Sequence, residues 1–314
     1  MSAEPPLAFD AEAVAQALPF DVLVSALRDA FRDPAHVPSR HVHRMEGGMQ
    51  SLVMPAWTDR FYGVKIINIQ PANSAKGLPG LHAVYTLFDA ATGVPLAFVD
   101  ADELTARRTA AASALGADLL ASPGGQDLLI VGAGRVARLL ADAFAAVRPL
   151  SRIRIWARDP VKAQQLAATL VQDGHAAEVA TDLEGAVRTS TLISCATLSE
   201  EALIMGDWLR PGTHLDLIGS FAPHMRETNA RCFARAEVFA DTDEAATKSG
   251  DILAARAEGA LAPDGIRATL TPLVRGDHSG RSGPDAITLF KAVGSALEDL
   301  AGAALTYTHG RDRT

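Results

Sequence analysis

The sequence Gly-Ala-Gly-Arg-Val-Ala at positions 132–137 constrains the fold of this chain more than any other feature. It follows the apolar run at 128–131 and opens an amphipathic stretch that reaches Val147. A strand, a glycine turn and a helix in this order are typical of a dinucleotide-binding fold: the glycines let the backbone approach a pyrophosphate, and Ala137 lets the helix pack closely on the strand. The first N–H groups of the helix favour bound phosphate. We therefore expect the chain to bind a nicotinamide or flavin nucleotide.

The composition is typical of a globular protein whose average charge disfavours nucleic acids and anionic membranes as partners. The 314 residues suffice for two domains, 48% of them are hydrophobic and 21% are charged. A net charge of −8 argues against a nucleic acid or an anionic membrane as partner. The two cysteines, Cys195 and Cys232, are too few for a disulfide framework or a zinc site. Neither a basic leader nor an apolar run of membrane-spanning length is visible, so we expect a cytoplasmic protein.

Helical spacing alternates with β-prone runs in the first third of the chain. Apolar residues recur with helical spacing at 1–33 and 105–120. Between these segments lie runs that favour an antiparallel or mixed sheet. The runs span 63–69, 81–88 and 95–99. A further helical pattern covers 286–305.

Beyond a Pro- and Gly-containing linker at 121–125 the pattern becomes regular. Strands alternate with helices such as 160–173, which is typical of a doubly wound parallel sheet. The strand-like runs lie at 127–131, 152–156, 177–180, 191–196, 213–218 and 236–240. We therefore predict an α/β chain: an α+β domain at 1–121, completed by a C-terminal helix at 286–314 that packs on it, and a Rossmann-type dinucleotide-binding domain at 122–285.

The end of the second strand of the nucleotide domain favours NADP over NAD. A domain that prefers NAD carries an acidic residue there to hold the ribose 2′-OH. This strand, at 152–156, is followed by Ala157, Arg158 and Asp159, so a small residue and a guanidinium stand where the acid is expected. Arginine binds phosphate oxygens with paired hydrogen bonds, which suits a 2′-phosphate. In the alternative interpretation Arg158 is a solvated loop residue and Asp159 binds the ribose of NAD.

Several short motifs, taken together and in order, resemble the ornithine cyclodeaminase/μ-crystallin family. They are Gly63-Val64-Lys65, Gly77-Leu78-Pro79, Leu87-Phe88-Asp89 with Thr92-Gly93, and the segments 104–111, 208–214 and 288–291. The likeness extends from about Pro38 to Leu300. It implies a homodimer, an N-terminal domain for substrate binding and dimerisation, and a nicotinamide cofactor that reacts at an imino-acid carbon.

One position distinguishes the activities within this family. Its cyclodeaminases carry an aspartate in a Gly-Asp segment after the fifth strand of the nucleotide domain, where it acts on the substrate amine or on the attacking water. The matching residue here is Ser220, and a hydroxyl without an activating partner is no general base near neutral pH. The segment therefore resembles the imine-reducing members, of the Δ1-pyrroline-2-carboxylate reductase type.

The resemblance assigns three cations, Arg40, Lys65 and Arg108, to the substrate pocket. Arg108 would clamp the substrate carboxylate in two contacts, and Arg40 lies on an extended loop that could close over it. Lys65 stands between two apolar neighbours, a setting that lowers the pKa of a lysine and suits it to protonate the imine nitrogen. In the alternative interpretation its stem lies along the sheet and its ammonium reaches water. Met54 is expected to line the pocket.

His82 is a second candidate for proton transfer. It lies between two apolar residues, at a position where a relative places a threonine beside the nicotinamide. A histidine there steers the substrate or relays a proton, or else it is a structural imidazole. His36, His41 and His43 lie near Arg40 without a carboxylate or cysteine at ligand spacing, so we predict surface histidines and no metal.

The predicted coenzyme contacts lie on the glycine turn and at the carboxyl ends of the strands, where ligands bind in open parallel sheets. We expect the backbone N–H groups of Arg135 and Val136 to meet the pyrophosphate. The full set of expected contacts is Arg108, Gly132, Gly134, Arg135, Val136, Trp156, Ala157, Arg158, Ala196, Thr197, Ile218, Gly219 and Ser220.

These features favour a reductase that uses NADPH, with NADH as the alternative coenzyme, to reduce a small cyclic imino acid. The expected substrates are Δ1-pyrroline-2-carboxylate and Δ1-piperideine-2-carboxylate, and the products are L-proline and L-pipecolate. The alternatives are an ornithine or lysine cyclodeaminase that recycles its NAD, a nucleotide-binding protein of the μ-crystallin type without turnover, and an alanine dehydrogenase or ketimine reductase. Ser220 and Arg158 count against the cyclodeaminase, and the Lys65–Arg108 pair counts against the binding protein.

Overall fold

In the computed structural model, which describes residues 5–311, the chain divides into two compact units. The first comprises the chain up to Arg108 together with the chain from Ser295 onwards, and the second is Thr109–Gly294. Each unit has one β-sheet.

The regular elements are as follows in chain order. They are β1 (Leu7–Phe9), α1 (Ala11–Ala17), α2 (Phe20–Arg32), β2 (His41–Arg44), β3 (Gln50–Trp57), β4 (Phe61–Ile69), β5 (Leu81–Asp89), β6 (Pro95–Asp100), α3 (Ala101–Leu120), β7 (Gln126–Val131), α4 (Leu140–Ala145), β8 (Leu150–Trp156), α5 (Pro160–Gln172), β9 (Ala177–Val179), α6 (Leu183–Thr189), β10 (Leu192–Cys195), β11 (His214–Leu217), α7 (Ala230–Arg235), β12 (Glu237–Ala240), α8 (Ala245–Lys248), α9 (Gly250–Ala257), β13 (Ile266–Thr269), α10 (Leu270–Arg275), β14 (Thr288–Lys291) and α11 (Ala296–Arg311).

The first unit is built on a mixed sheet with the strand order β1-β6-β5-β4-β3-β2. Strands β2 to β6 pair antiparallel with their neighbours, whereas β1 pairs parallel with β6. Residues alternate between the two faces: Phe61 and Lys65 of β4 are buried, and Tyr62 and Ile66 are exposed. Helix α11 packs against β3 and β4 and also contacts α1 and α2, so it lies in the same unit as these N-terminal elements.

The second unit is a doubly wound parallel sheet with the order β13-β12-β14-β11-β10-β7-β8-β9, as the sequence predicts. Every residue of the short central strands β10, β11, β12 and β14 is buried, and the core lies between the sheet and the flanking helices. In the sheet, strand β7 lies between β8 and β10. The carboxyl ends of these strands therefore form a topological switch point, the usual ligand site of an open α/β sheet.

Three predicted boundaries need correction. Residues 288–291 form β14, between β11 and β12, and not part of a helix; a short apolar run does not by itself distinguish a buried strand from a helix. The predicted helix at 1–33 consists of β1, α1 and α2, and its residues 1–4 lie outside the described chain. The units divide within α3 and before Ser295, not after residues 121 and 285, because Gly116 of α3 lies against Phe290 of β14.

Candidate active site

A cavity of about 460 Å³ lies at the carboxyl ends of β7, β8 and β10 in the second unit. Its position is the switch point of the sheet. Of the coenzyme contacts expected from the sequence, it is lined by Gly132, Gly134, Trp156, Ala157, Arg158, Ala196 and Thr197. Ala133, Asp159, Lys162, Leu198, Ser199 and Leu203 complete the lining.

Gly132 and Gly134 have different roles in the turn that borders this cavity. Gly132 adopts a φ of +124°, its N–H donates to the Trp156 carbonyl at 2.8 Å, and a Cβ at this position would lie 2.5 Å from the Ala196 carbonyl oxygen. Glycine is therefore required at 132 by the backbone itself. A Cβ at Gly134 would meet no atom within 4 Å, so the turn presents open space there. This cradle fits the pyrophosphate of a dinucleotide.

Two charged residues at the end of β8 have separate partners. The Asp159 carboxylate caps α5 by accepting the Val161 N–H at 3.0 Å. The Arg158 guanidinium donates to the Ser199 hydroxyl at 3.2 Å, and Lys162 lines the same cavity. The end of the cavity therefore presents two cations and a hydroxyl, which suits a phosphate group.

The other predicted coenzyme contacts do not line this cavity. Arg135 and Val136 form the turn before the 3₁₀ segment Ala137–Leu139, next to the glycines. Ile218, Gly219 and Ser220 follow β11 and are buried. Arg108 belongs to the first unit and forms ion pairs there.

The Ser220 hydroxyl is fully engaged in holding the loop after β11. It donates to the Met225 carbonyl at 2.9 Å and accepts the Asp251 N–H at 2.8 Å, and the side chain is completely buried. Its φ of +57° is the one left-handed value of a non-glycine residue among the described part of the chain. Because both partners of this hydroxyl are backbone groups and solvent does not reach it, the hydroxyl is not placed to act as a general base.

A buried carboxyl group that the sequence did not point out braces the loops after β10 and β11. Glu227 accepts both the N–H and the hydroxyl of Thr197 at 2.8 Å, and Gly219 packs so closely on its carboxyl group that no Cβ could stand there. Burial raises the pKa of Glu227 to about 8. Lys291 of β14 donates to the carbonyls of Leu217 and Gly219, so a position of the 288–291 motif fixes the end of β11.

Two of the three predicted cations, Lys65 and Arg108, lie in one buried cluster with two acids. The Lys65 ammonium lies 2.7–2.8 Å from the two carboxylate oxygens of Asp299 and 3.2 Å from the Thr105 hydroxyl. The Arg108 guanidinium pairs through Nε with Asp299 at 2.9 Å and through Nη1 with Glu298 at 2.7 Å. All four charged side chains are at least 93% buried. The cluster joins β4, α3 and α11, and its two cations balance two carboxylates.

Burial lowers the pKa of Lys65 to about 8, although the charge of Asp299 opposes this effect. Burial would raise the pKa of Asp299, but the charges of Lys65 and Arg108 outweigh it and lower that pKa. Lys65 is therefore not the solvated surface lysine of the alternative interpretation: it is a buried ammonium that can release its proton near neutral pH.

The neighbours of Lys65 explain two further features of the sequence. Met54 of β3 and Tyr85 of β5 pair directly with Lys65 and are buried on the same face. The Tyr85 hydroxyl lies directly over Gly63, which leaves no room for a Cβ, and this accounts for the glycine in Gly-Val-Lys. Arg40 immediately precedes β2 and is level with Met54, because the first pair of β2 is His41 with Val53. The structure thus brings Met54 to Lys65 and Arg40 to the same end of the sheet.

His82 is not brought to Lys65, so the two candidates for proton transfer that the sequence offers lie on opposite faces of the sheet. It pairs with Asn68, whereas Lys65 pairs with Tyr85, three residues further along β5. Because side chains alternate between faces, His82 lies on the exposed face of the sheet and Lys65 on the buried one. His36, His41 and His43 are exposed as predicted, and the His36 ring stacks on Trp57 at 5.3 Å.

Within residues 5–311 no group of three or more His, Cys, Asp or Glu side chains is arranged to hold a metal ion. No helix in that range combines the length and the apolar character needed to cross a bilayer. The expected cytoplasmic location stays a prediction.

Comparison with known proteins gives consistent matches along the chain. The sequence model of the ornithine cyclodeaminase/mu-crystallin family matches residues 8–313. The Delta(1)-pyrroline-2-carboxylate reductase of Paracoccus denitrificans is 41% identical over 78% of this chain and 78% of its own length. The structure of the Thermococcus litoralis reductase of the same name, in complex with NADH and L-proline, matches with a TM-score of 0.92 and 29% identity over 98% of both chains. An archaeal alanine dehydrogenase dimer with bound NAD matches with a TM-score of 0.91 and 27% identity, over 98% of this chain and 97% of its own.

Proposed function

Because this chain belongs to the ornithine cyclodeaminase/mu-crystallin family, we propose that it reduces a cyclic α-imino acid, Δ1-pyrroline-2-carboxylate or Δ1-piperideine-2-carboxylate, with a reduced nicotinamide coenzyme. The observation that carries this proposal is the buried pair of cations, Lys65 and Arg108, in the unit that lacks the nucleotide cavity. Relatives named for this reaction, at 41% and 29% identity, support it. The engaged Ser220 hydroxyl argues against a cyclodeaminase.

In this mechanism each side chain has one task. Arg108 and Arg40 hold the substrate carboxylate by charge-assisted hydrogen bonds. Lys65 donates a proton to the imine nitrogen: an ammonium has three N–H bonds, and Asp299 and Thr105 take two of them. When bound, a reduced nicotinamide coenzyme would supply the hydride for the imine carbon, so that the C=N bond would become CH–NH with oxidation of the nicotinamide. Lys65 then regains a proton from water.

The direct test is to mix the protein with Δ1-pyrroline-2-carboxylate and NADPH and follow the absorbance of the reduced nicotinamide. We expect stoichiometric consumption of NADPH and formation of L-proline. In parallel, L-ornithine with catalytic NAD is tested for ammonia release. Ammonia without net loss of reduced coenzyme would favour a cyclodeaminase, and nucleotide binding without either reaction would favour a binding protein.

The coenzyme that we propose is NADPH in preference to NADH. Arg158 and Lys162 at the end of the cavity supply positive charge for a 2′-phosphate, and the Asp159 carboxylate is occupied as the cap of α5. Neighbouring structures with NADH or NAD support a nicotinamide coenzyme in general and leave this preference to be tested.

Replacing Arg158 by Ala is expected to raise the KM for NADPH about 10-fold and to leave the KM for NADH nearly unchanged. A hydrogen bond to a charged group contributes about 1.5–3 kcal/mol, of which Lys162 retains part. Initial rates with both coenzymes provide the measurement. An unchanged ratio of the two KM values would favour the interpretation in which Arg158 is a solvated loop residue.

A homodimer is also part of the proposal. The face of the first sheet that does not contact α11 carries exposed apolar side chains, among them Tyr62, Ile66, Val84 and Phe98, which are 36–57% exposed. An apolar face of this kind usually marks an interface, and an alanine dehydrogenase of similar fold is described as a dimer.

Replacing Val84 by Glu is expected to convert a dimer of this chain into a monomer. The side chain is 57% exposed in the isolated chain, so the charge is tolerated by the fold and costs free energy only when a second copy covers it. Light scattering after size exclusion gives the mass. Glu at Val161, which is also exposed but lies in the second unit, is the matched control. A wild-type monomer, or a dimeric Val84→Glu variant, would contradict this interface.

A further inference from the structure

Asp299 holds both cations of the buried cluster with one carboxylate. It lies in the first turn of α11, and its oxygens contact Lys65 Nζ at 2.7–2.8 Å and Arg108 Nε at 2.9 Å. The preceding residue, Glu298, is equally buried and pairs with Arg108 Nη1 at 2.7 Å. Two adjacent acids on one helix therefore pair with the two cations in different ways. Asp299 contacts both the lysine and the arginine, and Glu298 pairs with the arginine.

A buried ammonium needs such a partner to stay charged, because removal from water favours the neutral amine. The charged and titratable groups that face Lys65 are Asp299 and Glu298 on α11, Arg108 on α3 and Tyr85 on β5. Burial and the charge of Arg108 favour the neutral amine, whereas Asp299 and, more weakly, Glu298 favour the charged form. The Tyr85 hydroxyl is kept neutral, because burial raises its pKa. Asp299 is thus the main group that opposes deprotonation of Lys65.

Resting on the imine reduction proposed above, we propose that Asp299 is a positioning residue that orients the Lys65 ammonium and keeps its proton available for the imine nitrogen. The carboxylate reaches the ammonium with both oxygens, and one of these oxygens, Oδ1, also accepts a hydrogen bond from Arg108. The proton donor and the carboxylate clamp are therefore held in a fixed relation by one side chain.

The test compares Asp299→Asn with the neighbouring variant Glu298→Gln. Reduction needs protonated Lys65, so kcat/KM is expected to fall as the pH rises through the pKa of Lys65, near 8 in the wild type. Removing the Asp299 charge lowers that pKa and moves this limb of the profile to lower pH by about one unit or more. Glu298→Gln is expected to raise the KM of the imino acid and to move the limb by clearly less. Equal shifts in the two variants, or an unmoved limb in Asp299→Asn, would overturn the proposal.

A second measurement does not depend on turnover and so separates this inference from the proposed function. Thermal unfolding is compared among the wild type, Lys65→Met, Asp299→Asn and the double variant at pH 7. Asp299→Asn is expected to lower the unfolding midpoint more when Lys65 is present than when Met replaces it, because only then does it leave a buried ammonium without its partner. Equal losses in both backgrounds would refute the ion pair even in a protein that reduces no imine, whereas coupling without imine reduction would refute the proposed function alone.

Discussion

Lys65→Met is expected to lower kcat for imine reduction by about 10²–10⁴-fold, the usual contribution of a positioned general acid. The dissociation constant of NADPH should stay unchanged, because Lys65 lies in the first unit and the nucleotide cavity is lined by residues of the second. Met matches the length of the lysine stem, and Asp299 keeps its contact with Arg108 at 2.9 Å. We therefore expect a folded protein that binds coenzyme and turns over slowly.

The chain offers a matched control in its other fully buried lysine. Lys291 donates to the carbonyls of Leu217 and Gly219 at the end of β11, where the sequence predicts coenzyme contacts. Lys291→Met is therefore expected to weaken NADPH binding, the opposite signature to Lys65→Met. Single-turnover kinetics and a fluorescence titration of NADPH separate the two effects. Equal losses of rate and coenzyme affinity in Lys65→Met would contradict its role as proton donor.

The second unit was more predictable from sequence than the first because its pattern is locally determined. The glycine turn after β7 and the run of short apolar strands have a period and a spacing that specify a doubly wound sheet. The prediction of a helix at 286–294 was wrong because a short apolar segment does not specify its own secondary structure. Thr288–Lys291 is four residues long, and only its neighbours β11 and β12, distant in sequence, decide that it is a strand.

The part of the candidate site that was predictable consists of residues whose type and local motif indicate their chemical role. Lys65 and Arg108 were found through their motifs, and Met54 was expected to line the same pocket. The structure brings Lys65 together with both, with Met54 directly and with Arg108 through Asp299. Asp299 was missed because acids in the first turn of a helix are common caps for its dipole, so Glu298-Asp299 looks ordinary. Only the fold reveals that this helix end is buried against β4.

The separation of His82 from Lys65 could not be predicted for a different physical reason. Strand pairing determines which face a side chain occupies, and a shift of one residue reverses it. The sequence shows that His82 and Lys65 both lie in β-prone runs, but the register Asn68–His82 and Lys65–Tyr85 follows from the pairing of β4 with β5. Glu227 was missed for a related reason: its contacts with Thr197 and Gly219 join loops that are far apart in the sequence.

Gly134→Ala is expected to weaken NADPH binding about 10- to 100-fold without loss of folding stability, since an extra methyl in a close-packed contact costs about 1–3 kcal/mol. In the protein alone the new Cβ would meet no atom within 4 Å, so nothing in the fold opposes it. Gly132→Ala is the contrasting variant. It has a φ of +124° and would bring a Cβ to 2.5 Å from the Ala196 carbonyl, so the free energy of unfolding should fall by at least about 1–3 kcal/mol together with coenzyme affinity.

The comparison of these two glycines tests whether the turn carries a pyrophosphate. If the turn only connects β7 to the following helix, Gly134→Ala should leave both the stability and the NADPH affinity unchanged, whereas Gly132→Ala should lower both. If the turn holds phosphate against its backbone, Gly134→Ala should lower the NADPH affinity and leave the stability unchanged, because the ligand then occupies the open space beside Gly134. Denaturant unfolding and NADPH titration of both variants distinguish these cases. Undiminished NADPH affinity in Gly134→Ala would contradict the proposal that this cavity binds the dinucleotide.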